Sequence, residues 1–521
     1  MFSFNDALRH AERRRVFNVD GLRRLAAESV DRSPDDIVDL KKLAEGGFNR
    51  TFLITMRCGF QMVARIPYPV TVPKYFAVAS EVATMAFLRS VGLPVPEIYG
   101  YSPTTDNAVG TEYVFMEFVQ GTNLSDIWFD LGEADIISIT RQLAELESQM
   151  MQVAFPAGGS LYYTKDLENS KVAGRPGITL PEDPRFSVGA DTRLPLWFDE
   201  TAEAALVSGA HKELAYLQRF GRPLWPFQRT RREYYQYKEQ SPLDHVENLN
   251  RFLSIAPRIV PRDPAPSSNH FCIRHPDLQP SNIIVSGSPD SNSLRIVSLI
   301  DWQHASILPP FLHAGIPQRL QNYGDVVSEF MARPSLPENL DDLNDNQQGW
   351  ERELHRRRLV HYHYVKNTEA HNAPHHAALT DPIGVLRRRL FTHASDPWGG
   401  ETLALKVDLI QATEDWEALT GAGAGPGDPP CPIAFDAEDV RATMKLDAEQ
   451  RGTDETFEAC QNVIGCAEDG WVPAAHYEAA MQRGREFKKS VLMVAAEESE
   501  EVCARAAAHW PFDDMDEEEY M

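Results

Sequence analysis

Apolar residues recur along this chain at a spacing near 3.6 in some stretches and near 2 in others, and the changes of period outline its elements. From residue 19 the run Gly21-Leu22-Arg23-Arg24-Leu25-Ala26-Ala27 predicts a helix with Asp20 as its cap, and Ile37-Val38-Asp39-Leu40 opens a strand. Leu43 to Ile54 reads as strand, glycine turn, strand; Phe60 to Ile66 is a third strand, closed by Pro67, Pro69 and Pro73. Residues 77–91 return to the helical period through Val78, Val82, Met85 and Leu88. Glu112 to Val119 is another strand, which Gly121-Thr122-Asn123 turns into a helix at 124–130.

Helical signals continue at 134–153, 199–219, 241–256, 323–332, 345–367 and 401–420. Residues 154–195 are rich in Gly, Pro and aromatic residues and predict a long loop or hairpin. Tyr162, Tyr163 and Trp197, in and just beyond it, are expected in core packing rather than in a substrate pocket. Further on, Cys272-Ile273-Arg274 and Asn282-Ile283-Ile284-Val285 are two short apolar strands, and Leu294 to Ile300 is a third that ends in Asp301-Trp302. Gly421 to Pro432 predicts a linker, and residues 435–506 a separate helical segment.

Composition narrows the class. The 521 residues are 43% hydrophobic and 24% charged, which excludes wholesale disorder. A formal net charge of −25 argues against tracking nucleic-acid backbones or an anionic membrane, and no apolar run reaches spanning length. Residues 491–521 hold ten carboxylates against one base, Arg505, and predict a solvated end. Six scattered cysteines without a CxxC pair predict reduced thiols inside a cell. Met1 to Arg15 carries Arg9, Arg13, Arg14 and Arg15 but also Asp6 and Glu12, whereas a mitochondrial presequence is poor in acids. The expectation is therefore an intracellular, cytoplasmic protein, with the mitochondrion as the alternative. His361, His363, His371, His375 and His376 crowd one stretch, but their spacing predicts a polar helix end rather than a metal site.

The chemistry concentrates between the two short strands. His275-Pro276-Asp277-Leu278-Gln279-Pro280-Ser281-Asn282 has the spacing H-x-D-x-x-x-x-N, and Asp301 follows at the end of the next strand. Phosphoryl transfer needs an Asp to accept a hydroxyl proton, and an Asn and a second Asp to hold Mg²⁺ against nucleotide phosphates. Asp277 is thus the candidate base, and Asn282 and Asp301 are the candidate metal ligands.

RHPDLQPSNIIV followed by LIDWQHA resembles the catalytic and metal-binding loops of the aminoglycoside phosphotransferase and choline-kinase-like families. LAEGGFNRTFLI and MVARIPYP resemble the fungal branch that includes mitochondrial-inheritance proteins. The resemblance covers roughly residues 17–420. It implies that His275 buttresses the loop. It makes Glu45 to Asn49, with Gly46, Gly47, Phe48 and Asn49, a phosphate-covering turn. Arg65 is implied as the phosphate clamp, paired with Glu81 on the following helix. Met116 to Val119, with Glu117 and Val119, is implied as the hinge that meets adenine. Two positions depart from the family pattern: Arg65 stands where many kinases use Lys, and Gln303 where many relatives carry an acid.

The expected fold is α+β: a bilobal protein-kinase-like fold with a small antiparallel-sheet N-lobe and a mostly helical C-lobe. Residues 1–40 would lead in, 41–120 would form the N-lobe, and 121–420 the C-lobe with both loops. A linker at 421–432 and a helical extension with an acidic tail at 433–521 would complete the chain. The expected function is ATP- and Mg²⁺-dependent transfer of the γ-phosphoryl group to a hydroxyl of a small molecule, with no nucleic-acid partner. The alternative is a non-catalytic ATP-binding pseudokinase in mitochondrial maintenance; a scaffold acting through residues 435–521 is a third reading.

Overall fold

Alternation along the third N-terminal strand decides which of its side chains face the core and which face away from it. In the computed structural model, which describes residues 5–169, 177–193, 201–261, 270–289, 294–421, 430–466, 472 and 476–520, helix α1 (Val19–Glu28) precedes strands β1 (Ile37–Glu45), β2 (Asn49–Met56) and β3 (Gln61–Pro67). Helix α2 (Phe76–Ser90) and strands β4 (Ile98–Ser102) and β5 (Tyr113–Glu117) follow. The five strands form one antiparallel sheet in the order β1-β2-β3-β5-β4. On β3, Met62, Ala64 and Ile66 are buried against Leu22 and Ala26 of α1, with Ile54, Met56 and Phe115 from neighbouring strands. Arg65, one position out of phase, points to the opposite face, as a period of two requires. Helix α2 is buried along nearly its whole length, which its continuous apolar composition demands.

Strand β6 (Thr122–Asn123) leads into helix α3 (Glu133–Gln152). Gly121 is required before β6: a Cβ there would lie 2.6 Å from Ile284 Cγ2 and 2.7 Å from the Val285 carbonyl. Strands β7 (Ser160–Tyr163), β8 (Ile178–Thr179) and β9 (Phe186–Gly189) form a three-stranded antiparallel sheet. The stretch expected as a long loop or hairpin is therefore a small sheet, with Tyr162 wholly buried in it. Trp197 lies outside the described residues. Strands β10 (Cys272–Ile273), β11 (Ile283–Ser286), β12 (Arg295–Leu299) and β13 (Ile307–Leu308) carry the candidate loops, β10 pairing with β13 and β11 with β12 and β6. Helix α4 (Asp345–His371) extends the expected 345–367.

Other expectations are corrected. Asn18, not Asp20, caps α1, because its side-chain oxygen accepts from the Gly21 N–H at 3.1 Å. The helix expected at 323–332 is a single turn, Val326–Glu329, which stops where Met331 enters the left-handed region. His361 and His375 are buried acceptors for the backbone N–H groups of Asn322 and Gly315, and no metal-holding cluster is found among the described residues. No helix among them is long and apolar enough to cross a membrane.

By contacts the chain forms two units, residues 15–206 with 261–388, and residues 1–14 with 207–260 and 389–521. The first holds the antiparallel sheet and the mostly helical part with both loops, in agreement with the expected α+β class. In the second, the extension at 433–521 is built onto residues 207–260 and 389–421. Arg231 pairs with Asp454 (2.9 Å) and donates to Gln450 (2.7 Å); Lys406 pairs with Asp439 (2.6 Å); Arg232 donates to the Tyr520 hydroxyl (3.0 Å). The acidic end is held at the other side by Asn5, which donates to Asp514 and to the Met515 carbonyl. Most of the expected linker, 422–429, lies outside the described residues.

This packing gives a stability prediction. Truncation after residue 430 removes Gln450 and Asp454 from Arg231 and Tyr520 from Arg232 and uncovers apolar surface, so the shortened chain will melt several degrees lower or aggregate. A truncated chain with the full-length melting temperature in a thermal-denaturation experiment would show that the extension adds nothing to the fold.

Candidate active site

The catalytic-loop candidates are set by the strands on either side and by one buried ring. His275 Nε2 donates to the Ile300 carbonyl (3.0 Å), and His275 Nδ1 accepts from the Asp277 N–H (3.1 Å). These partners select the neutral tautomer with the proton on Nε2. Burial pushes the ring down to about 4, and Trp302, itself fully buried, meets it edge-on at 4.4 Å between centroids. The Asp277 carboxylate lies open to solvent, and two amides converge on its Oδ2: Gln279 Nε2 at 2.5 Å and Asn282 Nδ2 at 3.1 Å. Oδ1 accepts no hydrogen bond among the described residues. Desolvation from beneath, together with the charge of Asp301, raises this carboxyl above its ordinary range.

Asn282 is fixed twice, its Nδ2 donating to the Asp277 carbonyl (2.8 Å) and its own carbonyl accepting from the Ile300 N–H (2.9 Å). Its side-chain oxygen meets no donor among the described residues and remains a free oxygen ligand. Asp301 closes β12 in the left-handed region at φ 67°, a conformation that costs a non-glycine residue about 1–2 kcal/mol and is found at functional turns. Its carboxylate accepts from Arg65 Nη2 and from the Gln303 N–H. Burial alone would raise the Asp301 carboxyl; the Arg65 guanidinium outweighs it and holds the group below its ordinary range.

Arg65 joins the sheet to this loop. Its Nη1 pairs with Glu81 of α2, and Glu81 also accepts from the Trp302 N–H. The glycine turn reaches the same loop by two further contacts. Asn49 and Gln303, both buried, hydrogen-bond side chain to side chain at 2.7 Å, and Phe48 packs edge-on against His304 at 5.3 Å. With its amide turned to satisfy the guanidinium, Asn49 accepts from Arg65 Nε at 3.0 Å and Nη2 at 2.8 Å; its oxygen then faces Gln303, whose own amide must turn to donate to it. Gly46 and Gly47 have ordinary negative φ, and a Cβ at Gly47 would meet nothing within 4 Å, so the turn itself does not require glycine. The space they leave open is what a phosphate would need.

The hinge candidates divide. The Glu117 side chain turns away to Arg89 (3.2 Å), and its N–H is taken by the Glu97 carbonyl (2.8 Å). The Val119 backbone makes no hydrogen bond among the described residues and is available. Gln279 was not singled out from sequence, although its place two residues after Asp277 was the available signal. The partner of Gln303 is 254 positions away and carried no local signal.

Residues 39–312 match the model of the phosphotransferase enzyme family, more than half of the chain. The chain belongs to that family. A subtelomeric hrmA-associated cluster protein of Aspergillus fumigatus is 28% identical to this phosphotransferase-family chain over 526 residues, covering 92% of this chain and 97% of that protein. Altered inheritance of mitochondria protein 9, mitochondrial, of Yarrowia lipolytica is 22% identical over 470 residues, covering 80% and 75%. The solved gentamicin complex of APH(2")-IIa covers 78% of this chain and 95% of its own, at 12% identity and a TM-score of 0.36.

The lowered pKa of His275 has a consequence for stability. Above pH 6.5 the ring is neutral in folded and unfolded chains, and its contribution is complete. Between 6.5 and about 4 the unfolded chain binds the proton first, and by linkage up to about 3 kcal/mol is lost. The melting temperature will fall across that window, and His275→Gln will flatten part of the fall; an identical slope in the variant would remove His275 from the acid response.

Proposed function

We propose that this family member is an ATP- and Mg²⁺-dependent phosphotransferase that moves the γ-phosphoryl group to a hydroxyl of a small molecule. The observation that carries the reading is the state of Asp277: both neighbouring amides bind Oδ2, and Oδ1 is left free to accept a proton. The donor set fits a hard divalent cation. Asn282 keeps a free oxygen, and the Asp301 carboxylate has lone pairs beyond the two donors it meets. One guanidinium also stands between two carboxyls, Glu81 and Asp301; burial pushes Glu81 up to about 7, whereas Arg65 holds Asp301 below its ordinary range and keeps it an anionic ligand. Magnesium, when bound, would neutralise charge on the nucleotide phosphates.

The chain's own groups would divide the work. Asn282 and Asp301 would hold the metal. Arg65 and the backbone around Gly46 and Gly47 would face the phosphates, and the Val119 backbone the adenine. Asp277 would orient the acceptor hydroxyl and take its proton as the oxygen–phosphorus bond forms. His275 touches no substrate in this scheme and keeps the Asp277 N–H in place. The relatives named mitochondrial support a mitochondrial location as the alternative to the cytoplasm.

A second reading, a nucleotide-binding protein without turnover, is favoured by one observation. Asn49 bridges Arg65 and Gln303 where an acid at 303 would face a metal. Replacing Asp277 separates the two. Asp277→Asn keeps the amide contacts but cannot accept a proton, so it will bind Mg²⁺-ATP as the wild type does and lose about 10²–10⁴ in turnover across a panel of hydroxylated metabolites. Equal turnover would take Asp277 out of the mechanism. Binding without turnover in both proteins would establish the second reading.

A further inference from the structure

Arg274 ends the short strand before the catalytic loop, and none of the roles above uses it. Its side chain is 12% exposed, and its guanidinium makes four hydrogen bonds. Nε donates to Glu147 Oε1 on α3 (2.6 Å), Nη1 to the His313 carbonyl (2.9 Å), and Nη2 to the Gly315 carbonyl (2.7 Å) and the Tyr364 hydroxyl on α4 (3.0 Å). The Tyr364 hydroxyl in turn donates to Glu147 Oε2 (2.7 Å), closing a triangle of three side chains. Glu147 and Tyr364 are completely buried.

The position of this hub is informative. On one side Ile273 pairs with Ile307, which lies beyond the Asp301 loop; on the other, His275 holds the Asp277 N–H. Through His313 and Gly315 the Arg274 fork grips the chain that leaves the Asp301 loop. The start of the catalytic loop and the exit of the metal-loop candidate are therefore fastened to one guanidinium, whose planar fork can serve several acceptors at once where an ammonium cannot. The far end of the loop, at Asn282, has a further anchor of its own in the Ile300 N–H, beside its two bonds to Asp277.

We infer that Arg274, with Glu147 and Tyr364, is a positioning residue that holds the Asp277 end of the loop in register for phosphoryl transfer. The inference rests on the phosphotransferase reading for its catalytic consequence, though not for its geometry. Because Asn282 has its own anchor, loosening the hub will disturb Asp277 more than the metal ligands. A displacement of about 1 Å at a reacting group can cost on the order of 10²-fold in rate.

Arg274→Lys keeps the charge beside Glu147 and loses the fork. Hydrogen–deuterium exchange of the full-length protein will show residues 275–279 and 313–317 exchanging about tenfold faster, with 282–286 little changed. In turnover, kcat will fall by about 10–100-fold while the KM for Mg²⁺-ATP stays within about threefold. The double variant Arg274→Met/Glu147→Leu removes the buried charges together, and this commonly preserves folding; it will show the same loosened loop and low kcat. Unchanged exchange at 275–279, or wild-type kcat in a folded variant of either kind, would overturn the positioning role. A wild type that turns over no acceptor, alongside variants that free the loop, would instead retain the role and remove the phosphotransferase reading.

Discussion

The Arg65 guanidinium is the contact on which the rest of the site depends. It is taken out of water between two carboxylates, Glu81 from the helix behind the sheet and Asp301 from the loop after β12. Desolvating such a group costs several kcal/mol, recovered only when its donors are all answered, and breaking one partner would leave an uncompensated buried charge. Alternation places Arg65 on the face of β3 opposite the apolar core, and the left-handed turn at Asp301 swings that carboxylate up to meet it. The glycine turn, the helix and the metal-loop candidate are thus held by one cation. Arg rather than Lys suits this position because its fork can serve Glu81, Asp301 and Asn49 at once.

A second cation, Arg274, does the corresponding service below the loops. The two arginines differ in what they grip. Arg65 binds side chains from three elements, and Arg274 binds backbone carbonyls and a wholly buried acid–phenol pair. Between them His275 sits neutral, with one nitrogen for each loop. The loops themselves contain little regular structure, so their shape is carried by these three side chains and by short two- to five-residue strands.

Much of this was legible in the chain. The β1–β3 strands and the helix over 76–90 were legible from apolar runs bounded by glycines and prolines, and Asp277, Asn282 and Asp301 were singled out by their spacing between apolar strands. The pairing of Glu81 with position 65 followed from family resemblance. What escaped had no local signature. The β7–β9 sheet is built from strands of two to four residues broken by glycines, too short for a period to register. Asp20 was an acceptable cap by residue type, but the side chain that reaches the Gly21 N–H is that of Asn18. Asn49 and Gln303 lie far apart in sequence, and Arg274 looked like the polar end of an apolar strand. The extension beyond residue 430 gave a helical period but no hint of the arginines at 229–232 that receive it.

The central claim is that the oxygen atoms of Asn282 and Asp301, beside Arg65, form a site for a metal-bound nucleotide. Isothermal titration of the full-length protein with ATP, with and without Mg²⁺, tests it most directly. The account predicts one ATP per chain and an affinity at least about tenfold higher with the metal, because the cation would offset the charge of the phosphates and of Asp301. No binding, or binding of equal strength in excess chelator, would contradict it.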